Sequence, residues 1–509
     1  MRMIKKKMVR VLTVAGLLAC LASGCASGGS SVGKEAAADE IKKGGFTVAA
    51  SCHDPQIIRE GDTYYMFGSH MVGAKCQDLR KWNYFANGVD AANTLFDNLL
   101  TEPYAAFDFV GKNTDNGYSV WASNVIYNET MKKYVMYFCT TSSYVKSTLC
   151  FATADNIEGP YTYVDTILYS GYGKSNISET NLYDVLGKNA DISRYLEYGG
   201  YNNKEWPNCI DPAIFTDADG RMWMNYGSWS GGIFLLEIDP TTGYPIYPVD
   251  DKDADPYYGY RLIGGGHHSA EGPYIQYDAE NGYYYLFVSY GDLQSDGGYQ
   301  IRQFRSEKPT GPYVDVAGNT LEDQDDHFNY GLKMMGNYTF PSLNYTYMAP
   351  GGQSTFQDDD GKYYITYHQR FDDGTEYHEP RVHQMYTNED GWFVAAPFAT
   401  MGETLSEKGY KKSDVSGTFY VVNHGTDISS KIREAEAYTF ADGKVTGGEK
   451  SGTYEVKEGT DYITITLDGV VYKGVLMEMT DEAENPVFCF SAAGDNEETL
   501  WGVQYIKKE

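Results

Sequence analysis

The 509-residue chain has few cysteines, and none of them forms a CxxC pair. A zinc site is therefore not expected. Cys20 and Cys25 belong to the first 25 residues, which read as an export segment. The other six either form disulfides, as an exported protein allows, or stay free and buried. These six are Cys52, Cys76, Cys139, Cys150, Cys209 and Cys489.

Positive charge is also scarce. The chain has 41 Lys and Arg against 70 Asp and Glu, a formal net charge of −29 at pH 7. Nucleic acids and anionic polymers would be repelled, so neither is expected as a partner. The charge favours a neutral substrate, and the solubility of a secreted protein explains it equally well.

Long apolar runs are missing after the N-terminus. The basic stretch "MRMIKKKMVR" precedes "VLTVAGLLACL", whose 11 residues are too short to span a bilayer. "LASGC" then resembles a lipoprotein cleavage site ending at Cys25, with Cys20 as a weaker alternative. We therefore expect a signal peptide over 1–25, a flexible tether over 26–44, and a lipid anchor at the cell surface or at the outer or plasma membrane.

Aromatic residues and glycine are plentiful. The chain has 47 Tyr and 55 Gly, and its apolar runs are short. This composition favours strands and turns over long helices. Tyrosine rings also stack on the C–H faces of sugars, but strand propensity alone explains their number.

One phrase recurs five times along the chain. Each copy begins with small or acidic residues and continues as a short apolar strand, a polar turn and a Tyr-rich strand, which is a β-hairpin. The copies are "HDPQIIREGDTYYMFGS" from His53, "WASNVIYNETMKKYVMYFCT" from Trp121, "IDPAIFTDADGRMWMNYGS" from Ile210, "EGPYIQYDAENGYYYLFVSYG" from Glu271 and "APGGQSTFQDDDGKYYITYHQ" from Ala349.

The spacing of the copies suits one four-stranded sheet plus loops per repeat. We predict an all-β protein with a five-bladed β-propeller over 45–402, with an array of β-sandwiches as the alternative. A polar insertion over 170–207 is too long for a plain turn and could form a wall or lid of a site. Residues 403–509 lack the acidic phrase and predict a small all-β domain, either a barrel or a sandwich.

Carboxylates begin three of the repeats. Inner strands of a propeller line its channel, so Asp54, Asp211 and Glu271 should meet there, with Glu271 one residue ahead of strict register. The second repeat offers Ser123 and Asn124 instead, and the fifth offers 351–353. Glu158 also stands in an "EGPY" string, but its repeat partner "TGPY" lies at the outer end of a blade, so we expect Glu158 to be inert.

Three close carboxylates repel one another, which separates their pKa values. One can then act as a base while another stays protonated as an acid, as glycoside hydrolysis requires. An inverting enzyme holds the two about 6.5–9.5 Å apart, which leaves room for a water. A cation site and decay of the repeat are the alternatives.

The phrases HDP, IDP and EGP, each followed by its apolar strand, together resemble glycoside hydrolase family 43. "GSWSGGIFLLEID" from Gly227 and "YHEPRVHQMYTNEDGWFVAAPF" from Tyr377 resemble the extracellular two-domain arabinanases of that family. The resemblance implies inversion, with Asp54 as general base, Glu271 as general acid and Asp211 as the residue that orients Glu271 and raises its pKa. It also implies sugar contacts from Asn208, Ser228 and Trp229, although Trp229 could simply pack inside a blade.

One position departs from the resemblance. Arabinanases of this kind carry a Gly-His-Asn-Ser phrase whose His lies beside a metal, and Gly352 stands where that His is expected. No cofactor is expected for the chemistry, and the departure argues against a calcium site at the channel centre. Gln353 could donate an oxygen instead; the nearby histidines to consider are His267, His268, His368 and His383.

The predicted function is hydrolysis of α-1,5-linked L-arabinan, a neutral plant polysaccharide, by a monomeric lipid-anchored glycosidase that cuts internally. Within the family, a β-xylosidase or an α-L-arabinofuranosidase is the rival. Fructan-cleaving enzymes are disfavoured because they use Arg-Asp-Pro and Glu-Cys phrases. A surface glycan-binding lipoprotein without catalytic activity is the alternative outside enzymology.

Overall fold

The computed structural model describes residues 32–143, 145–321, 330–448 and 450–508. Over these residues the protein is built almost entirely of strands. The α-helix that it contains is one short segment, Leu182–Leu186. Single turns of 3₁₀-helix are found at Ala38–Glu40, Ser69–Met71, Ala105–Phe107, Ile177–Glu179, Ser193–Tyr195 and Lys412–Asp414.

Five sheets follow one another along the chain, and in each the four antiparallel strands of one blade come from one continuous segment; two further short strands extend the fifth sheet. We call them blades one to five, and in each the first strand is the inner one. Their strands are Gln56–Glu60, Thr63–Gly68, Val72–Cys76 and Asn83–Ala86; Ser119–Asn128, Lys133–Ser143, Lys146–Ala154 and Thr162–Tyr169; Ala213–Thr216, Met222–Tyr226, Ile233–Ile238 and Tyr260–Ile263; Glu271–Asp278, Tyr283–Tyr290, Gln300–Ser306 and Leu332–Met335; and Tyr347–Gln357, Tyr363–Phe371, His378–Thr387 and Phe393–Ala395.

The repeated hairpin has a local cause. The turn between the first and second strands needs a residue in the left-handed region, which glycine adopts at no steric cost. Blades one, three, four and five place Gly61, Gly220, Gly282 and Gly361 there, with φ between 59° and 84°. Blade two uses Lys132 at a φ of 54°. The Asp- and Gly-rich turns of the sequence therefore set the register of each hairpin.

The five inner strands surround one channel, and each contacts the inner strands of its two neighbours. At each contact between neighbouring blades, a polar side chain of one blade forms a hydrogen bond with the backbone of the other, which satisfies buried backbone groups at the channel wall. The hydrogen bonds run from Gln56 Nε2 to Val125 O, from Ile214 N to Asn124 Oδ1, from Asn225 Nδ2 to Pro273 O, from Gln353 Nε2 to Gly272 O and from Ser354 Oγ to Pro55 O. The predicted five-bladed propeller is confirmed, and the sandwich array is wrong.

The insertion over 170–207 is packed against blade three. It contains the short helix and a two-stranded ribbon, Leu196–Glu197 with Gly200–Tyr201. Its buried ring Trp206 stacks on Tyr258, with centroids 5.7 Å apart, and Tyr195 donates to the buried carboxylate of Asp255. These contacts fit the predicted wall better than a lid that moves.

The C-terminal region forms a closed barrel of eight strands. Its first strand, Gly417–Asn423, pairs with its last, Thr499–Tyr505, and this pairing closes the sheet. The remaining strands are Glu436–Ala441, Lys444–Gly447, Lys450–Val456, Tyr462–Leu467, Val470–Thr480 and Pro486–Gly494. Of the two folds predicted for this region, the barrel is the one observed.

The barrel docks on blade five through a shared core. Trp501, fully buried, lies 5.1 Å from the ring of Tyr338 at the start of that blade. Two short strands, Tyr338–Thr339 and Arg433–Glu434, pair in parallel and extend the sheet of blade five into the barrel region. Backbone hydrogen bonding as well as apolar packing therefore joins the two domains.

The features predicted for the N-terminus lie partly outside the described residues. The predicted signal peptide, the lipidation site Cys25 and 26–31 of the predicted tether lie there. The rest of that tether contacts the folded domains, since Glu35 bridges to Ile506 and Gly44 to Leu343. None of the helices in the part of the chain that is described is long and apolar enough to cross a membrane. The six cysteines in that part are buried free thiols.

Candidate functional site

The entrance to each inner strand has the same backbone geometry. One residue there adopts a left-handed φ, and these residues ring one end of the channel. They are Asp54 (53°), Ala122 (48°), Asp211 (56°), Gly272 (55°) and Gly352 (58°). These five residues are equivalent positions of the repeat, and they define its register. Glu271 lies one residue ahead of it, as predicted, and Ala122, not Ser123 or Asn124, is the matching residue of blade two.

Asp54 projects into the channel from blade one. Its carboxylate accepts a 2.5 Å hydrogen bond from Ser69 Oγ, which in turn accepts from the backbone N–H of Ala122. The Asp54 side chain keeps 31% of its surface exposed. Burial nevertheless raises the pKa of Asp54 above its ordinary value, and the Ser69 hydrogen bond opposes that rise. A base here is both held in place and open to water.

Glu271 is held by three donors. Ser228 Oγ and Trp229 Nε1 donate to one carboxylate oxygen at 3.1 and 2.8 Å, and the Tyr299 hydroxyl donates to the other at 2.7 Å. Burial raises the pKa of Glu271, the three donors lower it, and the charge of Asp54 raises it further. The net direction is upward, which suits a carboxyl that must carry a proton to be delivered.

Asp211 is affected by the charges of both other carboxylates. Burial, followed by the charges of Asp54 and Glu271, raises the pKa of Asp211 well above its ordinary value. Its Oδ2 accepts a 3.2 Å hydrogen bond from the backbone N–H of Gly272. Asp211 therefore fixes the backbone beside Glu271.

The predicted sugar-binding residues fall into two groups. Ser228 and Trp229 belong to the Glu271 cluster, and Trp229 is fixed by its left-handed φ of 47° and a bond from its N–H to Ala270 O. Its indole is directed at a carboxylate, so blade packing is not its main role. Asn208 accepts from Ser170 Oγ at 3.4 Å, and the structure assigns it no contact with the three carboxylates among the described residues.

Gly352 could not be a histidine in this backbone. A Cβ built on it would lie 2.4 Å from Asp54 Oδ1 and 2.8 Å from His368 Nδ1. The imidazole at the channel centre comes instead from the neighbouring strand, as His368 at 3.9 Å from the Asp54 carboxylate. Position 352 therefore remains a departure from the resemblance.

Three side chains at this end of the channel could together hold a metal ion. His53, Asp54 and His368 place one ligand atom each within 4.8 Å of one another. His368 is fully buried, and neither of its ring nitrogens has a hydrogen-bond partner among the described residues. Two imidazoles and one carboxylate do not make the oxygen cage that calcium needs. A cation here would keep most of its own water shell, with His368 as its protein contact.

The other candidate metal donors are used elsewhere. Gln353 Oε1 accepts from Ser289 Oγ at 2.7 Å while its amide bonds to the next blade. His383 contacts the Tyr367 hydroxyl and Ala396 O. His267 Nδ1 accepts from Ser230 N, and its ring lies 5.4 Å from Trp229. Gln353 lines the cavity of the three carboxylates, whereas the His383 ring stacks on Trp501 of the barrel, with centroids 6.1 Å apart.

The sequence alone did not point to Ser69 or Tyr299, and it offered His368 only among four candidate histidines. Ser69 lies two residues after Phe67, which pairs with Gln56 in blade one, and His368 lies two residues after Thr366, which pairs with Ser354 in blade five. The two therefore occupy the same position of the repeat, and this equivalence is the signal that could have found Ser69. Tyr299 comes from the third strand region of blade four and carries no repeat signal. Glu158, expected to be inert, pairs with Lys75 at 2.6 Å and is 39% exposed.

Comparison with known proteins agrees with this geometry. The family description "Glycosyl hydrolases family 43" matches residues 185–393, and "C-terminal lipocalin-like domain" matches residues 397–502. The extracellular endo-alpha-(1->5)-L-arabinanase 2 of Bacillus subtilis is 38% identical over 467 residues, covering 89% of this chain and 92% of that protein.

Two solved structures share the whole architecture. The glycoside hydrolase family 43 YxiA protein from Bacillus licheniformis has a TM-score of 0.79 at 36% identity, covering 91% of this chain and 99% of its own. The endo-1,5-alpha-L-arabinanase from Thermotoga petrophila RKU-1 has a TM-score of 0.78 at 35% identity, covering 91% and 100%. With three carboxylates at matched blade entrances and relatives of this similarity along most of its length, the chain belongs to glycoside hydrolase family 43.

Proposed function

We propose that the protein is an inverting glycosidase that hydrolyses α-1,5-linked L-arabinan, cutting within the chain. One observation carries the proposal: Asp54 and Glu271 enter the same channel from different blades, in surroundings suited to a base and to an acid. The two relatives that are 38% and 36% identical to this chain over 89% of its length are both named endo-arabinanases. The site has no lysine or arginine among the carboxylates' described hydrogen-bond partners, which suits a neutral sugar.

The proposed reaction uses the three carboxylates in separate roles. Asp54 removes a proton from a water as that water attacks the anomeric carbon. Glu271 donates its proton to the glycosidic oxygen as the bond to that carbon breaks. Asp211 holds Gly272, and with it the backbone of Glu271, in position. Ser228, Trp229 and Tyr299 direct the acid, and Asn208, Ser228 and Trp229 are proposed to contact the sugar.

We further propose that a hydrated cation sits against His368. The motivation is a buried imidazole with two unpartnered nitrogens beside a carboxylate. Such an ion would supply positive charge next to Asp54 and favour its ionised form. Metal analysis of the purified protein and of His368→Ala tests this. Retention of equal metal by the variant would contradict it.

We also propose export, a lipid anchor at Cys25 and a monomeric state. Export is supported by the relatives, whose names describe them as extracellular. The anchor rests on the N-terminal sequence pattern. Mass spectrometry of membrane fractions for a lipidated Cys25, and light scattering of the soluble chain, test the two finer claims.

The main test is hydrolysis of linear arabinan by the purified protein. We expect arabino-oligomers as the first products, and little release from xylan or fructan. Monomeric arabinose or xylose as first product would favour the exo-acting rivals instead. Binding to arabinan without turnover by the wild type would favour the non-catalytic glycan-binding alternative. Polarimetry or NMR of the first-formed product checks inversion.

A further inference from the structure

Two large aromatic side chains are exposed at the outer edge of the catalytic face. Tyr345 is 57% exposed and Tyr377 is 47% exposed. Together with Phe46 and Phe371 they line a groove of about 250 Å³ beside blade five. We call this the blade-five groove. Exposed aromatic residues that share one concave surface usually mark a binding site.

The groove lies close to the catalytic centre. The ring of His53, the neighbour of Asp54, lies 4.4 Å from His368 and 3.9 Å from His378. The His378 ring lies 6.5 Å from that of Tyr377, which lines the groove. These ring contacts place Tyr377 near Asp54, so a long polysaccharide chain bound at Asp54 and Glu271 has the length to extend over the surface to the groove.

The loop that carries Tyr377 is anchored before any ligand arrives. Glu376 accepts from Ser295 Oγ at 2.7 Å and pairs with Arg370 Nε at 3.2 Å. Arg370 also donates to Leu293 O at 2.7 Å. A surface that is already ordered loses little conformational entropy on binding, so most of the free energy of its contacts contributes to affinity.

Tyr345 is positioned by packing on its inner side. Its ring lies 6.2 Å from that of Phe371, which in turn lies 5.4 Å from the buried ring of Tyr347. Phe371 is therefore a fixed floor, and one face of the groove stays apolar. Two exposed tyrosines above a fixed floor make a platform for flat, weakly polar ligands.

The polar groups of the groove suit hydroxyl groups rather than anions. Exposed Asn344 and Asp373 line it and can exchange hydrogen bonds with a sugar. Its cation, Arg381, has a side chain only 2% exposed and is paired with Glu379 at 2.9 Å. An acidic polysaccharide would meet carboxylates without a free cation among the described lining residues, whereas a neutral one would not be repelled.

We propose that the blade-five groove is a remote subsite that binds arabinose units of a long arabinan chain, several residues away from the cleaved bond. The inference rests on the proposed function for the identity of the sugar. It predicts that the groove contributes to the use of polymer and does not contribute to the cleavage of short oligomers, which cannot reach it.

The test compares Tyr345→Ala, Tyr377→Ala and the double variant on two substrates, linear arabinan and a short arabino-oligomer. For the double variant we expect kcat/KM on the polymer to fall about tenfold, mainly through KM, because both ring contacts with the bound chain are lost. On the oligomer we expect less than about a twofold change. Tyr345→Phe and Tyr377→Phe keep the rings and should keep most of the activity.

Tyr127→Ala is the matched control. Tyr127 is 41% exposed and lies at the far end of the inner strand of blade two, away from the catalytic end. It should change neither substrate. An equal fall on both substrates, or no fall on the polymer, would overturn the subsite.

A binding experiment separates this inference from the proposed activity. Glu271→Gln, which keeps the shape of the site, is run in a native gel that contains arabinan, with and without the two tyrosine replacements. Weaker retardation of the triple variant supports the groove even if turnover is slow. Equal retardation of both proteins overturns it, while a wild type that neither binds nor cuts arabinan overturns the proposed function as well.

Discussion

Asp54 and Glu271 share one channel but differ in how they are held. The Asp54 carboxylate has one side-chain donor among the described residues, Ser69, and keeps 31% of its surface exposed. Glu271 has three donors, two of them on one oxygen. Asp54 occupies the left-handed position of its blade and Glu271 lies one residue before that position. The repeat thus brings two carboxylates to one channel in different surroundings, because the second-strand and third-strand side chains differ between blades.

The difference matches what each role requires. A base that activates water has to be open to water, and one short hydrogen bond is enough to aim it. An acid has to present its proton in one direction to the leaving oxygen, and several fixed donors restrict its rotation. Burial raises the pKa of both carboxyls, so the number of donors that hold each carboxyl is what distinguishes the two proposed roles.

The largest expected effect comes from removing either carboxylate. Asp54→Asn and Glu271→Gln should each lower kcat on arabinan by about 10³-fold or more, the scale of general acid–base catalysis. The two variants should then differ on an aryl arabino-oligosaccharide, whose leaving group departs as a phenolate and needs no proton from the enzyme. Glu271→Gln should recover much of its rate there, whereas Asp54→Asn should not, since water still has to be activated.

The control is Glu158→Gln, which alters the exposed carboxylate in the look-alike "EGPY" string and should leave both rates unchanged. Recovery by Asp54→Asn in place of Glu271→Gln would mean that base and acid are assigned the wrong way round. Wild-type rates in both variants would exclude the carboxylate mechanism altogether.

Asp211→Asn should have the next largest effect, because it weakens the hydrogen bond that fixes the backbone beside Glu271. We expect kcat to fall about 10²-fold, the usual result of a small misplacement of a catalytic group. KM should change little. A variant that lost binding but kept kcat would assign Asp211 to substrate contact instead of positioning.

Two serine variants compare the two holding schemes directly. Ser69→Ala removes the side-chain donor of Asp54, and Ser228→Ala removes one of the three donors of Glu271. A hydrogen bond to a charged group is worth about 1.5–3 kcal/mol, so Ser69→Ala should lower kcat/KM at least about tenfold. Ser228→Ala should cost less, since Trp229 and Tyr299 remain. A larger loss in Ser228→Ala would contradict the comparison.

Much of this arrangement could be predicted from sequence because a short, continuous stretch of residues encodes each repeat. An apolar strand and a polar turn recur in every copy, and three copies begin with an Asp or Glu before Pro or Gly, so the propeller and its three carboxylates follow. The parts that could not be predicted depend on pairing in space. Tyr299 reaches Glu271 from 28 residues away in the chain, and His368 reaches Asp54 across blades.

The C-terminal domain shows the same limit. Alternating strands are equally compatible with a sandwich and with a barrel, because both bury one face of each strand. The choice depends on the pairing of Gly417–Asn423 with Thr499–Tyr505, at opposite ends of the domain. No local pattern in the sequence encodes that contact.

The smallest expected effect is a shift in pH dependence. Tyr299→Phe removes the hydroxyl that donates to Glu271 and lowers its pKa. The pKa of Glu271 should therefore rise further above its ordinary value. Because the acid works only when protonated, activity is lost as pH rises through this pKa, so the alkaline limb of kcat should move to higher pH. The acidic limb, set by ionisation of Asp54, should stay in place. Movement of the acidic limb alone would show that Tyr299 acts on the base, and the contrast between the two carboxylates would fail.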